Sequence, residues 1–240
     1  MSDRARVTGQ RTRAVVLAGG ELPPTDAVHD LVAGAAPDGS DGVLVVAADS
    51  GLDHAVTLGL PVDVVVGDLD SASVAAVAAA RAAGVTFETH PVDKDATDLE
   101  LALHAARAHG ATRITVVGGG GGRHDHLLAN ALVLAAVEFA DLDLDALVGT
   151  ARITVVRAGS ATTFHGAPGD LCSLLPVGGV AVGVRTDGLR FPLHGEDLLP
   201  GSTRGVSNEL LGTDATVTLT DGVLLAVQPH ALAPHPVQEA

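Results

Sequence analysis

A chain of 240 residues, 47% hydrophobic and with a mean hydropathy of +0.35, is long enough for one or two domains with a substantial core and excludes a disordered polymer. Only 2% of residues are aromatic, so that core has to be built from Ala, Val and Leu. Lys+Arg of 14 against Asp+Glu of 29 leaves a net charge of −15, which speaks against a nucleic-acid partner gripped by a broad basic face; an anionic ligand has to be held locally, by glycine amides, a few arginines or a metal ion.

In chain order, residues 14–18, 43–47, 63–66, 85–89 and 113–117 are short Val/Ile/Leu-rich runs without polar alternation, the pattern of buried parallel strands. The stretches 71–83, 96–109 and 124–139 are long and Ala/Leu-rich enough to be helices. Strand, helix, strand in repetition predicts an open parallel α/β sheet, Rossmann-like, over residues 1–140. From 141 to 240 the helical rhythm gives way to strand candidates at 144–148, 153–157, 162–165, 171–175, 180–184, 189–193, 216–220 and 223–227, which predicts an all-β sandwich domain. Asp221-Gly222 between two apolar runs predicts a hairpin, and the tail from Pro229 onward reads as an exposed end. No apolar stretch reaches the ~20 residues of a membrane helix, so no membrane partner is expected. The single cysteine, Cys172, excludes an internal disulfide framework, fits a core position in a strand, and suits the cytoplasm.

Ligands of doubly wound sheets bind beyond the carboxyl ends of the strands, and here those ends are alike in chemistry. They carry Gly19-Gly20, then Asp49-Ser50-Gly51, Gly67-Asp68-Leu69-Asp70-Ser71, Asp93-Lys94-Asp95-Ala96-Thr97-Asp98, and Gly118 to Gly122 followed by Arg123-His124-Asp125-His126. Two aspartates one residue apart after a Val-Val-Val strand suit a hard cation such as Mg²⁺; the alternative is a helix N-terminus capped by Ser71 or Asp70. Asp93, Asp95 and Asp98 add negative charge that is costly without a cation, although Asp95 or Thr97 could cap the next helix. Five glycines entering a helix expose amides to phosphate, or form a flexible turn, but match neither a Walker A loop nor G-x-G-x-x-G, so a nicotinamide cofactor has little support. His124 and His126 stand two apart, which is the wrong helical spacing for a zinc pair. Asp125, a first-turn acid near a bound ligand, and Asn130 further along that helix are better candidates. The polar loop Gly201 to Glu209 lies between apolar strands, where binding residues tend to be found.

Taken together, Asp49-Ser50-Gly51, Pro61-Val62-Asp63 leading to Gly67-Asp68-Leu69-Asp70-Ser71, the 93–98 block, Gly121 to His126 with Asn130, Thr186 to Leu193, and Ser207-Asn208-Glu209 resemble the thiamine pyrophosphokinase family in order and spacing along nearly the whole chain. The resemblance implies transfer of a diphosphoryl group from ATP to the hydroxyl of thiamine, with Mg²⁺ as cofactor, and a homodimer whose active site lies at the subunit interface. It implies Mg²⁺ ligation and catalysis by Asp68, Asp70 and Asp98. Nucleotide contacts are implied for Asp49, Ser71, Lys94, Asp95, Thr97, Gly121, Gly122, Arg123, Asp125 and Asn130. Ser207, Asn208 and Phe191 would face thiamine, with Phe191 answering for the absence of Trp and Tyr. Asp70 and Asp98 are both candidates to accept the hydroxyl proton. Two alternatives keep the same fold: a pyrophosphokinase for another hydroxymethyl heterocycle such as a pterin alcohol, and a non-catalytic thiamine or nucleotide sensor.

Overall fold

A computed structural model describes residues 12–33, 42–91 and 93–233. It divides into two compact units, at Gly119 and Gly120. The first unit contains β1 (Arg13–Leu17), α1 (Thr25–Ala33), β2 (Leu44–Ala48), α2 (Gly51–Leu58), β3 (Val64–Gly67), α3 (Val74–Ala82), β4 (Thr86–Thr89), α4 (Asp98–Ala108) and β5 (Arg113–Val117). Its strands form a parallel sheet of order β5-β1-β2-β3-β4, with Val15 in register with Val45 on one side and Thr115 on the other. The chain runs outward from β1 to β4 and then returns to the other side of β1, so the order reverses between β1 and β5.

β1, β2 and β3 are buried almost throughout, as unbroken aliphatic runs require. β4 is the exception. It is the edge strand, and Thr86 and Thr89 are exposed, so the expectation of a buried strand there is corrected. The short helices α1 and α2 have no counterpart among the helices read from the sequence. α2 begins at once after β2 because Gly51 lets its backbone lie against β1: a Cβ on Gly51 would stand 1.9 Å from the Leu17 carbonyl oxygen.

The second unit contains α5 (His124–Leu134), a 3-10 turn at Val137–Phe139, and β6 (Asp143–Val148), β7 (Ala151–Arg157), β8 (Thr162–His165), β9 (Leu171–Pro176), β10 (Ala181–Asp187), β11 (His194–Leu198), β12 (Asn208–Glu209), β13 (Asp214–Thr218) and β14 (Val223–Gln228). Its antiparallel strands fall into two sets, β12-β9-β14-β7-β6 and β11-β10-β13-β8. Both sets contribute to one core, with Val156, Leu174 and Leu224 from the first and Phe164, Val184 and Val217 from the second. The chain is therefore a mixed α/β protein with a parallel sheet and a separate antiparallel β-rich region.

Three expectations in this region are corrected. α5 stops at Leu134 instead of continuing to 139, where the Arg157 guanidinium donates to the Leu134 and Ala136 carbonyls (3.4 and 2.9 Å) and satisfies the helix end. The run 189–193 is not a strand, apart from an isolated Leu189–Leu210 bridge; Pro192 interrupts it, and the strand is instead the polar His194–Leu198. The strands flanking Asp221-Gly222 do not pair with each other: β13 pairs with β8 and β10, while β14 pairs with β7 and β9, so the turn passes the chain from one sheet to the other. Gly222 is needed there because its φ is +89° and a Cβ would meet the Val180 carbonyl oxygen at 2.3 Å. Residues 234–240 of the expected exposed tail lie outside the described residues.

Cys172 is fully buried in β9, as its strand position suggested, and burial pushes its thiol up to about 11 from an ordinary 9.0. The native protein should therefore resist a thiol reagent at pH 8, with labelling that tracks unfolding in a denaturant series. Rapid labelling of the folded protein would contradict this. The raised value also means that the contribution of this thiol to stability is complete below pH 9 and is lost as pH rises toward 11.

Candidate functional site

Three acidic segments converge at the carboxyl end of the parallel sheet because of backbone conformations that few residues adopt. Gly67 closes β3 with φ +133°, and a Cβ there would stand 2.8 Å from Asp98 Oδ1 and 3.4 Å from Asp49 Cβ. Asp49 and Leu69 take positive φ, +46° and +68°, although neither is glycine, the kind of strain that tends to gather at functional sites. The Leu69 turn folds Asp68 and Asp70 together: the Asp70 amide donates to Asp68 Oδ1 at 3.1 Å. Carboxylate oxygens of Asp49, Asp68 and Asp70 lie within 4.8 Å of one another.

The charges in this cluster are unevenly compensated. Asp49 Oδ2 accepts a short hydrogen bond from the Ser71 hydroxyl, while Asp49 Oδ1 is buried and has no hydrogen-bond partner. Burial raises the pKa of Asp49; the Ser71 bond opposes that, and the charges of Asp98, Asp68 and Asp70 add to it. Asp68 is held below the usual carboxylate range, first by Lys94 and then by the Asp70 amide. Lys94 Nζ stands 2.9 Å from Asp68 Oδ2 and 2.6 Å from Asp98 Oδ1. An orphaned buried oxygen beside two further carboxylates suits a hard divalent cation, which needs only oxygen ligands.

Ser71 is not the cap of α3. That position belongs to Ser73, whose hydroxyl accepts from the Ala76 amide, and Ser71 is left to bind Asp49. Thr97 caps α4 by accepting from the Glu100 amide at 3.3 Å, which leaves Asp98 as the first helical residue and Asp95 exposed on the loop before it.

At the glycine run, Gly118, Gly119, Gly121 and Gly122 all have positive φ, so the segment reverses in a way that only glycine allows cheaply. Gly121, Gly122, Arg123 and Asp125 are exposed at the start of α5, and Asn130 is half-buried within it. The Arg123 guanidinium donates to both Asp125 oxygens, at 3.2 and 2.5 Å, and holds the Asp125 carboxyl down at about 2. His124 and His126 belong to no cluster of ligand side chains among the described residues, in keeping with their spacing.

In the β-rich unit a pocket of about 530 Å³ is lined by Phe191, Ser202, Thr203, Arg204, Val206 and Asn208. Asn208 is 4% exposed, and both ends of its side-chain amide are hydrogen-bonded. Oδ1 accepts from the Phe191 and Glu209 amides, each at 2.9 Å, and Nδ2 donates to the Phe191 carbonyl at 2.8 Å. Phe191 itself is 57% exposed, with the Arg190 guanidinium 5.5 Å from its ring centre and Arg190 paired to Glu209 at 2.8 Å. Ser207, beside the pocket, has φ +57°, and its amide donates to Ser173 Oγ at 3.0 Å. The sequence points to the 201–209 loop as a whole but singles out neither Arg204, which lies within it, nor Arg190, next to Phe191; the available signal was that both are cations in a chain that has few.

The profile described as "Thiamin pyrophosphokinase, catalytic domain" matches residues 40–145, and that described as "Thiamin pyrophosphokinase, vitamin B1 binding domain" matches residues 161–224. The thiamine pyrophosphokinase of Bacillus subtilis (strain 168) is 25% identical over 162 residues, covering 68% of this chain and 76% of the relative. The crystal structure of the Bacillus subtilis thiamine pyrophosphokinase aligns with a TM-score of 0.75 at 24% identity, over 90% of this chain and 98% of that one. That of the Geobacillus thermodenitrificans thiamin pyrophosphokinase gives 0.73 at 25% identity, over 90% and 96%.

Proposed function

This chain belongs to the thiamin pyrophosphokinase family, and we propose that it transfers the β,γ-diphosphoryl group of ATP to the hydroxyl of thiamine, yielding thiamine diphosphate and AMP. The observation that carries the reading at the level of residues is the carboxylate centre of Asp49, Asp68 and Asp70 with its one orphaned oxygen, in a chain that matches the catalytic and vitamin-binding profiles in turn.

In this reading Asp68, Asp70 and Asp98 hold Mg²⁺, with Asp49 joining them. Bound there, Mg²⁺ would neutralise phosphate charge and steady the diphosphoryl group for displacement. Asp70 or Asp98 accepts the proton that the thiamine hydroxyl loses as its oxygen bonds to the β-phosphorus and AMP departs. Gly121, Gly122 and Arg123 meet the nucleotide through amides and a guanidinium, together with Asp125 and Asn130. Lys94, Asp95, Thr97 and Ser71 complete the nucleotide side, Thr97 by shaping the helix start and Ser71 by orienting Asp49. The acidic centre also suits an acceptor whose thiazolium is cationic. Phe191, exposed beside the pocket, offers the aromatic face that no Trp or Tyr can supply. A homodimer with its active site at the subunit interface, a cytoplasmic setting, and a division of labour between residues 1–140 for ATP and Mg²⁺ and 141–240 for thiamine and dimerisation belong to the same proposal. Among the described residues no helix is long and apolar enough to cross a membrane.

Incubation with ATP, Mg²⁺ and thiamine should give AMP and thiamine diphosphate in equal amounts, and EDTA should stop both. AMP formation only with another alcohol would change the acceptor, while ADP and phosphate would replace the reaction. Ser207→Ala should raise the KM for thiamine about tenfold, the loss expected for one hydrogen bond at a binding site, and leave the KM for ATP within about twofold. An equal rise in both constants would remove Ser207 from the thiamine pocket.

A further inference from the structure

Lys94 is the sole lysine among 240 residues; every other fixed cation is an arginine. It sits between β4 and α4 with its side chain 13% exposed, and its ammonium joins Asp68, just after β3, to Asp98, in the first turn of α4. A solvated surface lysine gains little from an ion pair, and its strong hydration favours water. Here two carboxylates hold it instead, and those carboxylates are themselves 10% and 26% exposed. The compensation of the centre is partial: the ammonium bonds Asp68 and Asp98 alone, the charges of Asp98, Asp68 and Asp70 bear on Asp49, and Asp49 Oδ1 is left without a hydrogen-bond partner. An ammonium differs from a guanidinium in a way that bears on this position. It is a compact charge on a flexible four-carbon stem, free to leave a site without dismantling a planar bidentate contact.

We propose that Lys94 is a positioning residue that acts as a tethered resident cation: it keeps Asp68 and Asp98 together while no divalent cation is bound, and it is driven off Asp68 when one binds. This rests on the functional reading only in taking the acidic centre as the divalent-cation site. The physical reason for displacement is that a dication and an ammonium repel each other when they share one carboxylate. The centre therefore avoids four uncompensated charges before loading, and the released ammonium is available to an anionic phosphate group afterwards.

The single lysine makes the test direct. Protein carrying ¹³Cε-lysine has one lysine side-chain cross-peak, and Mg²⁺ titrated without nucleotide or thiamine should move it saturably, at the same midpoint as Mg²⁺ binding followed by calorimetry. Removing the competing charge in Lys94→Gln should tighten Mn²⁺ binding, measured by the EPR signal of free Mn²⁺, by about tenfold. Lys94→Arg, which keeps the charge on a group that leaves carboxylates less readily, should bind Mn²⁺ no more tightly than the wild type. A cross-peak that does not move while Mg²⁺ binds overturns the proposal, as does an unchanged Mn²⁺ affinity in Lys94→Gln. Failure of either divalent cation to bind the wild-type protein alone also overturns it. Formation of thiamine diphosphate, assayed separately, would then still leave the functional reading standing.

Discussion

Asp70→Asn should lower kcat by at least about two orders of magnitude while leaving the melting temperature unchanged, as expected when one preorganised electrostatic group is lost from a phosphoryl-transfer site. The separation of activity from stability follows from the position of the side chain. Asp70 is exposed, and the hydrogen bond that shapes its turn comes from its backbone amide to Asp68 Oδ1, which the substitution leaves in place. Asparagine has the same size, so only the negative charge and its affinity for a hard cation are removed. Steady-state assays at several Mg²⁺ concentrations, with thermal melts alongside, measure both quantities. A variant within about twofold of wild-type turnover at saturating Mg²⁺ would take Asp70 out of the reacting centre.

Gly51→Ala should have the opposite profile, a loss of stability first and of activity only as a result. The added Cβ would stand 1.9 Å from the Leu17 carbonyl oxygen and 2.5 Å from its carbon, both backbone atoms of a fully buried residue of β1. Neither can move aside as a side chain can, so the whole start of α2 has to shift. Overpacking of this kind costs about 3 kcal/mol, and for a chain of this size that lowers Tm by roughly 6–12 °C. Gly212→Ala is the control: nothing lies within 4 Å of its added Cβ. Equal melting temperatures for the two variants would show that β1 and α2 approach less closely than described.

How much of this was legible beforehand depended on whether the deciding interaction was local. The buried runs of β1, β2, β3 and β5 announce themselves because a strand covered on both faces needs no polar alternation. The strand-end glycines and aspartates were found by the same logic. The Asp221-Gly222 turn was misread because a two-residue signal specifies a reversal but not which sheet receives the next strand. His194–Leu198 escaped notice because it is polar and exposed along most of its length, its place fixed by pairing with β10. In the acidic centre the aspartates were legible as residues. That Ser71 would bind Asp49, leaving one Asp49 oxygen buried and bare, depends on side chains 22 positions apart and has no sequence signature. Lys94 was recognisable as the lone lysine, but its bridging of two carboxylates was not.

The hold of Asn208 on Phe191 has a kinetic meaning for the pocket. A side-chain amide presents both N–H donors and a C=O acceptor, so by bonding both the N–H and the C=O of Phe191 it pairs that residue in the way the backbone of an adjoining strand would. A loop residue tethered at both polar groups has already given up its backbone freedom during folding. A ligand meeting that wall therefore has less disorder to remove than it would against a free loop, and more of its contact energy remains to lengthen the residence time of the complex.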